Sequence, residues 1–235
     1  MRRQDEQLFR VFVRDHRVRI DFSHVLTDGS GAFRFLCTLV AEYLRQRGFS
    51  VPAGGLVLDP DEPPADQEFS DAYRELYTRG VPAPDNLAPA YHVAGRMRPG
   101  LHRVIAAKLA ADRVKQRAGE LGATVTEYLA GVYIYAIYTM WQNGHRPRNQ
   151  NIIRVEVPVD MRRLHPSMTM RNFSLFVMPG IDLRLGPYSL AEIVRTIHHS
   201  MRLQLDLREI KRQIARNVGG EMNPVDLLVV AYVGD

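Results

Sequence analysis

Apolar and polar residues alternate between Arg17 and His24: Val18, Ile20, Phe22 and His24 fall on one side, Arg17, Arg19, Asp21 and Ser23 on the other. A period of two predicts a half-buried strand, with His24 at its end on the apolar face. Leu8 to Val13 predicts a second strand. Asp15-His16 then reads as a tight turn closing an antiparallel hairpin. Downstream, Phe33, Leu36, Cys37, Val40, Tyr43 and Leu44 recur at helical spacing and Gly48 follows as a stop, which predicts a helix over 30–47. Residues 49–67 and 80–100 are rich in Pro and Gly, with a short helix expected over Glu68 to Thr78.

The second half predicts a strand of mixed pattern over Leu101 to Leu109 and a helix over Asp112 to Leu121, stopped by Gly122. Thr124 and Glu127 form a capping box before a strongly apolar helix reaching about Trp141, whose Tyr128, Tyr133, Tyr135 and Tyr138 are read as packing residues. Ile153, Val155, Val157 and Val159 alternate, predicting a strand over 152–159, with Pro158 tolerated near its end. Phe173, Leu175 and Val177 form another. Ser189 and Glu192 make a second capping box, opening a helix on Leu190, Ile193, Val194, Ile197 and Met201 that turns basic from Arg202 to Arg216. Strands and helices alternate without strict βαβ regularity, so the fold class is α/β, a sandwich with a mixed sheet. The two long irregular stretches read as a crossover between two subdomains.

Composition narrows the function classes. Apolar content of 46% and charged content of 24% suit a globular protein. The single Cys37 rules out an internal disulfide framework and, on the apolar helix face, reads as packing. A net charge of +5 favours anionic partners. No zinc-finger, RNP-type or KH-type signature appears, so nucleic acid is not expected. Phosphates of coenzyme A, or an acidic carrier protein, would satisfy the same charge. No metal is expected: His198 and His199 are adjacent and point to different sides of a helix, and the acids Asp59, Asp61 and Glu62 lack EF-hand spacing. The longest apolar run, Leu129 to Trp141, is too short to span a bilayer. Met1 to Arg10 is charged with no apolar run behind it, and the expectation is a cytoplasmic protein. Dinucleotide, P-loop and Gly-x-Ser-x-Gly fingerprints are absent.

The chemistry-bearing stretch is Ser23 to Gly31, with the spacing His24-x-x-x-Asp28-Gly29. Imidazole changes charge near neutral pH, so a partly desolvated histidine reachable from a cleft is suited to general-base work. Gly29 permits a positive φ and Asp28 can bond backbone amides as the chain leaves the strand. A helix beginning near Ser30 turns its positive end to this loop. The same residues also fit a histidine that closes a strand, with Asp28 as an ordinary helix cap.

The motif in this strand–turn–helix setting resembles the active-site signature of the chloramphenicol-acetyltransferase-like superfamily, which includes condensation domains, plant-type acyltransferases and alcohol O-acetyltransferases. Thr124 to Val132 resembles the helix that opens that family's second subdomain. Val157 to Arg163, followed by Arg171-Asn172-Phe173, resembles its paired strands beside the active-site tunnel. The resemblance implies a two-layer sandwich forming an incomplete pseudo-dimer of subdomains: residues 1–79, a crossover over 80–100, and 101–235. It implies an acyl-CoA-dependent O-acyltransferase of the alcohol acetyltransferase type, with His24 as base and Asp28 and Gly29 organising its loop. No cofactor would be permanently bound. Acyl-CoA would be the co-substrate and an alcohol or amine the acceptor. It further implies that Asp28 pairs with a distant arginine, Arg162 first, with Arg163 and Arg171 as competitors, and that Asn172 lies near the tunnel.

Departures from the family shape the expectation. Ser23 stands where condensation domains carry a second histidine, which argues against peptide-bond chemistry. The plant-type Asp-Phe-Gly-Trp-Gly element is absent. Only 23 residues precede His24, and the chain closes on the apolar run Val225 to Val233, so truncation at both ends is expected, with self-association covering the missing surfaces. Two other readings follow: a non-catalytic, partner-binding remnant of the fold, and a condensation-like domain dependent on an acyl carrier protein.

Overall fold

The computed structural model describes residues 7–93, 100, 106–144, 147 and 149–222. It is an α/β structure of six helices and six short strands among these residues: β1 (Phe9–Arg14), β2 (Arg17–Phe22), α1 (Gly29–Gln46), α2 (Ala72–Leu76), α3 (Ala111–Glu120), α4 (Val125–Asn143), β3 (Ile152–Arg154), β4 (Val157–Asp160), β5 (Ser174–Val177), β6 (Gly180–Asp182), α5 (Leu190–Gln204) and α6 (Leu207–Met222). The strands pair two by two, β1 with β2, β3 with β6 and β4 with β5. Beside β3, whose partner β6 is antiparallel, Ala90 forms a parallel bridge to Ile152.

The chain divides into two compact units. The first unit combines Met1–Tyr77 with Val159–Leu175, and the second combines Thr78–Pro158 with Phe176–Asp235.

In the first unit the hairpin register is Phe9 opposite Phe22, Val11 opposite Ile20 and Val13 opposite Val18, so one face is apolar throughout. Only its inner end packs: the rings of Phe9, Phe22 and Phe35 of α1 meet at 5.5–5.8 Å between centroids. Every β1 residue is exposed and β2 becomes half-buried only from Ile20 onward. The expected half-buried strand holds over Ile20 to Phe22 and fails over Arg17 to Arg19, because alternation tells which residues share a face and not whether anything covers that face. The unit's core is small, centred on Ala41, Ala72, Met161, Phe173 and Leu175.

The second unit holds the larger core: Ile134 and Tyr138 of α4, Ile153 of β3, Ile181 of β6, Ile193, Val194 and Ile197 of α5, and Ile210 and Ile214 of α6. Both capping boxes form, Thr124 with Glu127 and Ser189 with Glu192. Gly131 lets α4 approach α5, since a Cβ there would lie 2.7 Å from Val194 Cγ2. Of the four α4 tyrosines Tyr138 is buried in the core, while Tyr133 and Tyr135 are exposed. The expected basic extension of α5 is a separate helix. α5 ends at Gln204, and Asp206 starts α6 by accepting the Arg208 amide at 2.9 Å. The expected strand over 152–159 is two strands, with Val155 donating to the Pro179 carbonyl between them at 3.1 Å. The strand expected over Leu101 to Leu109 lies outside the described residues as far as Ile105, and 106–109 have no regular structure. The apolar run Val225 to Val233 also lies outside them. No helix among the described residues is long and apolar enough to cross a membrane.

Candidate active site

The site is built in the first unit, where β2 hands over to α1. β2 ends at Phe22 and the chain makes a turn through His24, Val25 and Leu26, closed by the Leu26 amide on the Ser23 carbonyl at 2.9 Å. His24 is therefore an exposed turn residue rather than the last apolar position of a strand. Alternation fails there because the strand has already ended. Among the described residues no hydrogen bond holds its imidazole, which stands open to solvent.

Behind that turn the chain is firmly tied. The Thr27 hydroxyl donates to the Met170 carbonyl at 2.7 Å. Asp28, 4% exposed, is the N-cap of α1, and its Oδ1 accepts from the amides of Ser30 and Gly31 at 3.0 Å each. Its Oδ2 accepts from Arg162 Nη1 and from the Phe173 amide, both at 2.7 Å. A carboxylate has about four lone-pair sites, and all four are occupied here. Every acceptor site of Asp28 is used within the fold. Its role is to pin the start of α1 to the arginine.

Arg162 is the arginine the structure brings to Asp28; Arg163 and Arg171 are exposed. It lies in a single 3₁₀ turn after β4, its side chain 16% exposed. Nε and Nη2 donate to the Thr169 carbonyl at 3.1 and 2.9 Å, and Nη2 also donates to the Arg171 carbonyl at 2.8 Å. Nη1 donates to Asp28 and, at 3.1 Å, to Asp160 Oδ1. The guanidinium carbon also lies 6.0 Å from the centroid of the Phe173 ring, a cation–π arrangement. Thr169 is held in turn by its own hydroxyl, which donates to the Ser70 carbonyl at 2.7 Å.

Asp160 was not among the residues singled out from the sequence. Its Oδ1 caps the Arg162 amide at 3.1 Å and its Oδ2 accepts from the Ser30 hydroxyl at 2.7 Å. Burial acts to raise its pKa, but the Ser30 hydroxyl and the Arg162 amide and guanidinium outweigh burial and hold the carboxyl below the ordinary range. Its place two residues before Arg162, at the end of an alternating run, was the available signal. Nearby, the Tyr73 hydroxyl donates to the Ser174 carbonyl, and burial pushes its phenol pKa up.

Gly29 is the first residue of α1, with no positive φ and open space where a Cβ would stand. This corrects the expectation of a glycine-dependent turn at that position. The constrained glycine is Gly31, where a Cβ would lie 2.1 Å from Thr27 Oγ1 and 2.8 Å from the Met170 carbonyl oxygen. Asn172 is partly buried, its Oδ1 accepting from the Ser174 hydroxyl at 2.9 Å and amide at 3.3 Å, which orders the start of β5.

No known family's sequence profile matches the chain, and no curated protein does. Solved structures do. The chain is similar to the first condensation domain of the CDA synthetase, with TM-score 0.44 and 21% identity over 83% of this chain and 42% of that one. The first condensation domain of the calcium-dependent antibiotic synthetase in complex with a substrate analogue matches with TM-score 0.40 and 20% identity over 83% and 43%. The SgcC5 protein from Streptomyces globisporus, in complex with (R)-(-)-1-(2-naphthyl)-1,2-ethanediol and sucrose, matches with TM-score 0.44 and 16% identity over 88% and 49%. The chain spans less than half the length of the solved chains it matches. Likenesses at this level assign no activity.

In the second unit Glu127, 6% exposed, completes its capping box and also places Oε2 3.0 Å from His198 Nδ1. His198 and His199 stack edge to face at 5.2 Å. Among the described residues no group of three or more His, Cys, Asp or Glu is placed to hold a metal.

Proposed function

We propose that this chain carries the catalytic motif of an acyl-CoA-dependent O-acyltransferase of the alcohol acetyltransferase type, built on a chloramphenicol-acetyltransferase-like two-layer sandwich of paired subdomains. The observation that supports this most is the complete use of the Asp28 carboxylate. With Asp28 committed to structure, the chemistry on this loop falls to His24, four residues earlier and open to solvent. Neutral imidazole takes the proton of an acceptor hydroxyl as its oxygen attacks the thioester carbonyl. The tetrahedral adduct then collapses, expels the thiolate, and the imidazolium returns its proton to that sulfur. The products are an ester and free coenzyme A, with no covalent enzyme intermediate. The net positive charge suits the phosphates of coenzyme A and equally an acidic carrier protein.

A second reading has a specific observation behind it. His24 lacks an orienting partner among the described residues, and the hairpin leading to it leaves Val11, Val13 and Val18 exposed. In that reading the chain is a non-catalytic, partner-binding form of the fold. The deciding test is acceptor-dependent release of free thiol, with CoA-bound and carrier-bound acyl donors compared. Release from either supports transfer and names the donor; none from the folded chain favours the second reading.

A further inference from the structure

We propose that Asp160 and Ser30 are positioning residues for the acyl transfer read above, closing a ring of hydrogen bonds that fixes the loop presenting His24. The ring has four bonds. The Ser30 amide donates to Asp28 Oδ1 at 3.0 Å, and the Ser30 hydroxyl donates to Asp160 Oδ2 at 2.7 Å. Arg162 Nη1 then donates to both carboxylates, to Asp160 Oδ1 at 3.1 Å and to Asp28 Oδ2 at 2.7 Å.

The ring joins segments 130 and 134 residues apart in sequence. Without Asp160 the Ser30 side chain would have no tie to the 160–162 segment and would be free to rotate. Asp160 removes that freedom, because the same carboxylate grips the arginine's own backbone amide and the first turn of α1. Rings of this kind polarise one another and behave as a unit. Ser30 is no nucleophile in this arrangement, since its proton points at a carboxylate that stays charged. Neither residue touches the reacting atoms; both act through Asp28 and Arg162 on the loop that carries His24.

The role rests on His24 being the base, so the test has two readouts. The first is backbone amide exchange at Ser30 and Gly31 in Asp160→Ala and Ser30→Ala, with the α5 amides of Val194 and Ile197 as internal reference. Asp160→Ala removes the acceptor shared by Ser30 and Arg162, and Ser30→Ala removes the hydroxyl donor, so either opens the ring; an asparagine at 160 would not, because its amide nitrogen can donate to the Ser30 hydroxyl. Exchange at Ser30 and Gly31 should accelerate about tenfold or more with the reference amides unchanged. The second is steady-state transfer: kcat should fall about tenfold with KM for donor and acceptor within about twofold. The double variant should lose no more than either single one. Unchanged exchange overturns the ring. Accelerated exchange with unchanged kcat in an active enzyme overturns the positioning role. If the wild-type chain transfers no acyl group, the exchange result still decides the ring, and the functional reading alone fails.

Discussion

Arg162 Nη1 and Asp28 Oδ2 meet at 2.7 Å across 134 residues of sequence, both largely out of solvent. The pair makes the first unit's two segments one body. Removing one member of such a pair leaves an uncompensated buried charge, so Arg162→Ala should destabilise the unit by about 3–5 kcal/mol. Arg162→Lys should lose most of the same amount, because an ammonium cannot reach the Thr169 and Arg171 carbonyls together with both carboxylates. Urea unfolding of the three proteins checks this. A lysine variant as stable as wild type would show that the guanidinium geometry is unimportant.

The two glycines of the motif region should behave oppositely. Gly31→Ala drives a Cβ into Thr27 Oγ1 and the Met170 carbonyl, breaking the Thr27–Met170 bond at a cost of about 1–3 kcal/mol. Gly29→Ala meets open space at the start of α1 and should be neutral or stabilising by a few tenths to about 1 kcal/mol. Thermal unfolding of both variants separates them; equal effects would contradict the placement of Gly31.

The α4–α5 contact should weaken in acid. Burial acts to raise the Glu127 pKa, yet the Thr124 amide, the His198 ring and the Thr124 hydroxyl outweigh it and hold the carboxyl below its ordinary value. A carboxylate depressed in the folded state contributes stability at pH above its unfolded value, about 4.3, and loses that contribution as pH falls through the folded value. Wild type should therefore lose more stability than Glu127→Gln between about pH 5 and pH 3. Unfolding free energies across that window give the difference directly. Parallel curves for the two proteins would mean the Glu127 charge contributes nothing.

Much of this was legible because the signals were local. Thr124 with Glu127 and Ser189 with Glu192 announce helix starts through bonds within four residues, and both starts are where the sequence puts them. The α1 pattern likewise placed the helix within one residue of its ends. Failures came where a neighbour decides. His24 continues an alternating pattern after the strand has ended, and the basic run from Arg202 to Arg216 reads as one helix with α5 although Asp206 caps a new one. Gly29 was credited with a backbone role that the structure gives, as a steric one, to Gly31, since nothing in the sequence reveals how closely Met170 approaches. Nothing next to Asp160 in the sequence marks its bond to Ser30, because that partner lies 130 residues away.

The measurement that tests the account most directly is free-thiol release from acetyl-CoA with short alcohols, wild type against His24→Ala, with far-UV circular dichroism confirming both folds. His24 is exposed and makes no structural bond among the described residues, so its loss should leave the fold intact. The account predicts acceptor-dependent release by wild type and a loss of about 10²–10⁴-fold in the variant. Equal rates in the two proteins, or no release by folded wild type from any acyl donor, would contradict it.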